Sequence, residues 1–96
     1  MIYLIKGMFK PGAIAVLPDE QAAMNEHLGQ MNGQPKLAGK LIDRDGRQVG
    51  FMACLEAESF DAADNYLANS PYQKAGMYSS VEVLGFPIEV GAGQLD

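Results

Sequence analysis

The sequence has little cysteine and little positive charge, and both shortages limit what the protein can do. The single cysteine, Cys54, excludes an internal disulfide and any metal site built from several cysteines. Seven Lys and Arg residues stand against twelve Asp and Glu, which gives a net charge of -5. Phosphate groups are bound by clustered basic residues, whereas those of this chain are scattered. We therefore expect neither nucleic acid nor an anionic membrane as a partner.

Long apolar runs are also missing. None approaches the roughly 20 residues needed to span a bilayer. The apolar start, Met1 to Ile5, is interrupted by Lys6, Gly7 and Lys10, so we expect no signal peptide. A soluble cytoplasmic protein is the resulting expectation.

The sequence also lacks the signatures of common cofactor sites. Its one histidine and one cysteine lie far apart, and its carboxylates do not have the spacing of a calcium loop. The only glycine pair with phosphate-loop character, Gly91 and Gly93, has no helix after it. We expect neither a metal nor another cofactor.

What the chain does have is the pattern of one small α+β domain. Strands are predicted at residues 2–9, 36–43, 47–57 and about 80–90, with helices at about 19–32 and after the N-cap Ser59. A short helical turn fits between Pro71, suited to a first helical position, and Gly76, suited to a left-handed stop. The order is βαββαβ, which is the ferredoxin-like arrangement of a four-stranded antiparallel sheet with two helices on one face. Residues 1–90 form this domain, and residues 91–96 are expected to be a flexible tail.

The strands predict that the second face of this sheet is covered too. In the third strand Phe51 and Leu55 point one way, while Met52 and Cys54 point the other, and none of them is charged. A sheet with one wet face should instead alternate apolar and polar residues. A second copy, packed sheet against sheet, is the simplest cover. We expect a homodimer, a dimeric α+β barrel.

Several short motifs resemble those of the YCII-related family, over most of the chain. The most specific is Pro71-Tyr72, followed by Ala75-Gly76 and Tyr78, ahead of the last strand. The weaker motifs are His27-Leu28, Leu37-Ala38-Gly39, Asp45-Gly46, Gly50 and Ser59-Phe-Asp-Ala-Ala63. The resemblance implies the dimeric α+β barrel fold, in agreement with the two-faced sheet. It also implies a role for a histidine on the first helix and an aspartate just before the Pro-Tyr pair. A few members of the family act on chlorinated muconolactone-like rings, and similar barrels isomerise lactones.

This chain keeps only part of the site that the resemblance implies. His27 matches the family histidine, and such a residue can act as general acid or base near neutral pH. Without a catalytic role, it would be a half-buried histidine bonded to backbone. Ser70 stands where the family has its aspartate, and Lys40 stands where the family has a proline. Ser70 can orient an imidazole by a hydrogen bond, but it is more often the N-cap of the Pro71 turn.

Lys40 and three further residues are candidates for the site. Lys40 can attract an anionic ligand if its strand face meets the helices, although a solvated lysine is the commoner outcome. Tyr72 is a candidate ligand contact, with Tyr78 beside it, although aromatic packing explains both as well. Cys54 lies in an apolar strand with no base nearby, which is typical of a packing residue.

Two functions follow from the sequence. The first is an enzyme in which His27 moves a proton on a lactone-like or anionic organic molecule, without a cofactor. The second is a non-catalytic small-ligand-binding or accessory barrel, which the missing aspartate favours.

Overall fold

The chain is described by a computed structural model, which covers residues 1–13, 17–29 and 35–91. It contains four strands and three helices: β1 (Ile2–Phe9), α1 (Leu17–Gly29), β2 (Pro35–Ile42), β3 (Gln48–Glu56), α2 (Phe60–Ala68), α3 (Pro71–Lys74) and β4 (Tyr78–Gly85). The strands form one antiparallel sheet in the order β2-β3-β1-β4. This confirms the ferredoxin-like fold, with the two strands that precede the longer helices at the centre.

The core lies between the helices and one face of the sheet. Ile5 pairs with Ala53 on one side and with Val83 on the other, and directly paired residues share a face. One part of the core joins α2 to the sheet through Tyr3, Ile5, Leu55, Ala57, Ala63, Tyr66 and Leu67. The other joins α1 and α3 to the sheet through Met24, Phe51, Ala53, Tyr72 and Met77.

The ends of two elements differ from their predicted positions. The helix α1 begins at Leu17, two residues before Asp19. The strand β4 ends at Gly85 and not near Val90. Phe86 still donates its N–H to the carbonyl of Ile2 at 2.9 Å, but Pro87 has no N–H with which to continue a ladder.

The buried stripe of α2 also differs from the prediction. Ala63 and Leu67 are buried as expected, but Phe60 is 50% exposed, and its ring meets Tyr3 edge-on. Tyr66 occupies the inward position instead. In α1, Met24 is buried and Leu28 is half-buried, whereas the predicted continuation through Met31 to Gly33 lies outside the described residues, as does the tail at 92–96.

The face of the sheet away from the helices is mostly apolar, and we call it the open face. It carries Leu4, Met8, Leu37, Met52 and Leu84, together with Lys6 and Glu82, which lie opposite each other. Leu37 is 51% and Leu84 is 50% exposed. The apolar character is as predicted, but the charged pair on this face was overlooked in the sequence. Across the described ranges, no helix combines the length and the apolar character that crossing a membrane requires.

Candidate functional site

The three helices meet around His27. This residue lies in the last turn of α1, and its ring lies against the ring of Tyr66 from α2, with centroids 4.6 Å apart and planes tilted by 43°. Lys74 ends α3 and is close enough to act electrostatically on the imidazole. The fold therefore brings a histidine, a tyrosine and a lysine from three different helices to one place.

The surroundings of His27 favour its neutral form. Partial burial is the main cause that lowers the pKa of the imidazole below its usual 6.5, because burial penalises the cation. A hydrogen bond with the backbone of Tyr66 acts in the opposite direction, and the positive charge of Lys74 lowers the pKa further. A neutral imidazole has a free lone pair, so His27 is in the form that accepts a proton at neutral pH.

Two polar atoms at this junction lack hydrogen-bond partners among the described residues. They are Nε2 of His27 and the phenolic Oη of Tyr66, and both are buried. Burial raises the pKa of Tyr66 to about 12, so that its hydroxyl stays protonated and remains a donor. Buried polar atoms are nearly always paired, so these two atoms leave hydrogen-bonding capacity that a ligand could use.

A small apolar cavity of about 10 Å³ lies beside Tyr66, between the helices and the sheet. That volume admits about one water-sized group. Tyr66 and Ser70 are in its wall, as is Tyr78, whose pKa is raised by burial and by the neighbouring Tyr72 and Tyr66. His27 does not line the cavity, but its ring lies against that of Tyr66, which does. The rest of the wall is formed by Ile5, Met24, Phe51, Ala53 and Leu67.

Ser70 is the N-cap of α3, as its sequence predicts. Its Oγ accepts from the N–H of Gln73 at 3.4 Å and donates to the carbonyl of Leu67 at 2.8 Å. The residue is only 2% exposed. Its hydroxyl proton is therefore used within the fold, and no hydrogen bond joins it to His27 in the described part of the chain.

Tyr72 belongs to an aromatic cluster in the core. It is 1% exposed, and its ring meets Phe9, Phe51 and Tyr78 edge-on, with centroids 5.5–6.2 Å apart. Such edge-on contacts are favourable packing arrangements. Tyr72 thus contributes to the shape of the cavity region without lining the cavity itself.

Lys40 lies on β2 opposite Phe51, and hence on the face of the sheet that meets the helices. This is the strand face on which the sequence analysis required a ligand-binding Lys40 to lie. Its side chain is nevertheless exposed, and it is not in the wall of the cavity. Lys74, which the sequence did not single out, is the lysine that acts on His27.

A larger open hollow of about 580 Å³ lies at the end of β1. Its wall includes the basic residues Lys10 and Arg47 and also Asp43, whose Oδ1 is already bound by the backbone N–H groups of Asp45 and Arg47. Phe9 lines the hollow, and it stacks at 5.6 Å on Tyr78, which lines the cavity. The stacked pair thus places one ring in the wall of each space. The remaining wall comprises Pro11, Gly12, Gln48 and Val49.

The thiol of Cys54 and the potential metal ligands of the described residues add no functional group to the site around His27. Cys54 is buried in β3, and burial raises the pKa of its thiol, as is typical of an unreactive cysteine. Within the ranges that the structure covers, no three His, Cys, Asp or Glu side chains are close enough to hold a metal ion.

Tyr66 is the functional candidate that the sequence reasoning missed. A helical spacing of three from Ala63 places Tyr66 on the buried stripe of α2, so its burial could have been predicted. Its contact with His27 on α1 could not have been predicted, because no spacing along the chain relates the two residues.

Comparison with known proteins agrees with the fold and identifies a similar protein that was solved with a bound ligand. A model of the YCII-related domain matches residues 1–87. A 5-chloro-2-hydroxyhydroquinone dehydrochlorinase from Burkholderia phenoliruptrix, solved in complex with 2,5-dihydroxybenzoquinone, is 26% identical with a TM-score of 0.82. The similarity covers 91% of this chain and 94% of that one.

Two more distant structures share the fold alone. Rv0793 from Mycobacterium tuberculosis is 15% identical with a TM-score of 0.52, over 94% of this chain and 97% of that one. An antibiotic biosynthesis monooxygenase is 16% identical with a TM-score of 0.54, over 92% and 100%. Among curated proteins, no relative matches the chain.

Proposed function

The chain belongs to the YCII-related domain family, and from this premise we propose that it is a small-molecule enzyme. His27 takes a proton from an oxygen-bearing ring compound of the hydroxyquinone or lactone type. The observation that carries the proposal is the pair of buried, unpartnered atoms, Nε2 of His27 and Oη of Tyr66. They provide a neutral base and a protonated donor on two rings that lie against each other.

The dehydrochlorinase at 26% identity supports a ring compound as the substrate, since that protein was solved with a dihydroxybenzoquinone. In an elimination, the base takes a proton from a hydroxyl or carbon of the ring. The halogen-bearing carbon must first be tetrahedral, as it is in the keto tautomer of a chlorinated hydroxyquinol. The electron pair of an O–H bond then forms a C=O bond, the adjoining ring double bond shifts onto the halogen-bearing carbon, and halide leaves with the electrons of the carbon–halogen bond. The imidazole needs no oxidant for this step, because the proton and the halide together account for the molecule lost.

The open hollow supports an approach route for such a ligand. Its two basic residues, Lys10 and Arg47, favour an anion in a chain whose net charge is -5. A cavity of about 10 Å³ is too small for a ring, and on a route from the hollow the stacked Phe9 and Tyr78 rings would separate. We propose that the ligand enters between them.

We also propose that the protein is the homodimer expected from the sequence, with the two sheets packed face to face. An open face with Leu37 and Leu84 about half exposed is unfavourable in water, and a second copy would cover it. Lys6 and Glu82 lie opposite each other on that face and can meet opposite charges across a two-fold axis.

The second candidate is a binding protein without turnover. Position 70 carries a serine whose hydroxyl is bonded to Leu67 and Gln73, so this position supplies no carboxylate to stabilise an imidazolium formed at His27. A site with this loss retains a cavity and donors for a ligand but moves protons less readily.

Chloride release from 5-chloro-2-hydroxyhydroquinone tests the proposal. We expect turnover by the natural protein and its loss in His27→Gln, since glutamine is polar but cannot take the proton. Asn25→Ala, on an exposed position of α1, is the matched control and should keep the activity. Calorimetry with 2,5-dihydroxybenzoquinone separates the two candidates. Binding without chloride release supports the binding protein, and absence of both overturns the proposal.

A further inference from the structure

Tyr66 carries a hydroxyl whose presence packing does not explain. The side chain is 5% exposed, lies in the core between α2 and the sheet, and stands in the wall of the cavity. Its Oη has no hydrogen-bond partner among the described residues. Phenylalanine would fill the same space and contact His27 with the same ring.

An unpartnered buried hydroxyl is unfavourable, because folding removes its hydrogen bonds to water and no hydrogen bond within the protein replaces them. Natural structures contain few such groups, and one use for them is to bind a ligand. The second unpartnered atom, Nε2 of His27, belongs to the ring that lies against Tyr66. The unsatisfied hydroxyl of Tyr66 belongs to a residue in the cavity wall, and the unsatisfied Nε2 belongs to the ring that lies against Tyr66. This arrangement leaves hydrogen-bonding capacity for a polar group at the cavity.

Resting on the proposed function, we infer that Tyr66 is a second ligand-contacting residue of the His27 site. Its phenol donates a hydrogen bond to a carbonyl or enolate oxygen of the ring on which His27 acts. The ligand class is thereby narrowed to rings that carry a hydrogen-bond acceptor oxygen near the group that loses the proton, as hydroxyquinones and unsaturated lactones do.

The chemistry gives this hydrogen bond a role beyond binding. When His27 takes the proton, negative charge spreads onto the conjugated ring oxygens. A phenol that is protonated at neutral pH binds a charged oxygen more strongly than a neutral one. Tyr66 therefore stabilises the transition state more than the substrate, and its removal should lower kcat more than it raises KM.

The test is Tyr66→Phe, which removes the hydroxyl and keeps the ring. Its matched control is Tyr3→Phe, the same change at another core tyrosine with 5% exposure that does not line the cavity. For Tyr66→Phe we expect an unchanged or higher Tm and an affinity for 2,5-dihydroxybenzoquinone about tenfold lower. Tyr3→Phe should keep that affinity.

The possible outcomes separate this inference from the function on which it rests. If His27→Gln loses chloride release while Tyr66→Phe binds the quinone as the natural protein does, the role of Tyr66 is overturned and that of His27 stands. A clear fall in Tm for Tyr66→Phe would mean that the hydroxyl is bonded within the fold, which also overturns the inference. If the natural protein itself does not bind the quinone, both proposals fail.

Discussion

The backbone of Gly7 lies directly beneath the ring of Tyr78, so closely that a Cβ atom on Gly7 would overlap the ring. Glycine at this point of β1 lets the tyrosine lie against the strand, where it stacks on Phe9 and closes one side of the cavity. The shape of the site therefore depends on a missing side chain as well as on those present.

Gly7→Ala should displace the ring of Tyr78 and destabilise the protein. Overpacking of this kind costs about 1–3 kcal/mol in the free energy of unfolding. Gly39→Ala on β2 is the control, because a Cβ there meets nothing within 4 Å, and it should have little effect. Denaturant unfolding of both variants gives the comparison. Equal stability of the two would contradict the close contact of Gly7 with Tyr78.

The pKa of His27 predicts how stability depends on pH. Because its folded pKa lies below 6.5, the unfolded chain takes up the proton first as the pH falls, and stability declines below about pH 6.5. The loss of stability due to His27 ends once the pH is also below its folded pKa, because the residue is then protonated in both the folded and the unfolded chain. His27→Gln should remove this component, so its Tm should fall less between pH 7 and pH 5. Parallel Tm curves for the two proteins would be inconsistent with a lowered pKa.

Lys74 and Lys40 should differ in their effect on His27. Lys74→Met removes a positive charge that disfavours the imidazolium, so the pKa of His27 should rise. Lys40→Met, an exposed position on β2, should leave it unchanged. An NMR titration of the single histidine measures both. A shift with Lys40→Met alone would reassign the lysine of the site.

Ser70→Ala should cost about 1–2 kcal/mol of stability, because the variant loses both the cap of α3 and the bond to the carbonyl of Leu67. Ser59→Ala removes an exposed N-cap of α2 and is expected to cost about 1 kcal/mol or less. Affinity for the quinone should survive in both. Loss of binding in a folded Ser70→Ala protein would give Ser70 a role in the site that its present bonds do not require.

Leu84→Lys tests the proposed dimer. If a second copy covers the open face, a lysine there buries an unpaired charge and should break assembly or folding. Ala68→Lys, on the exposed side of α2, is the control and should assemble normally. Light scattering distinguishes a dimer from a stable ~10 kDa monomer. A monomeric natural protein, or normal dimers from Leu84→Lys, would refute the interface.

The sequence by itself determined the elements and most of their ends. Ser59 and Ser70 begin helices because a side-chain oxygen there accepts from a backbone N–H, and Gly76 takes a positive φ that other residues avoid. These are local preferences, and they can be read from neighbours along the chain. The apolar character of both sheet faces followed from strand alternation in the same way.

Only the tertiary structure decided what surrounds His27. Tyr66 is 39 positions further along the chain and Lys74 is 47, and the packing of α2 and α3 against α1 brings them to the imidazole. Burial, which lowers the pKa of His27 and raises that of Tyr66, is likewise a property of the packed core. Spacing along a chain carries no information about such contacts, since the distances between helices are set by how all their side chains pack together.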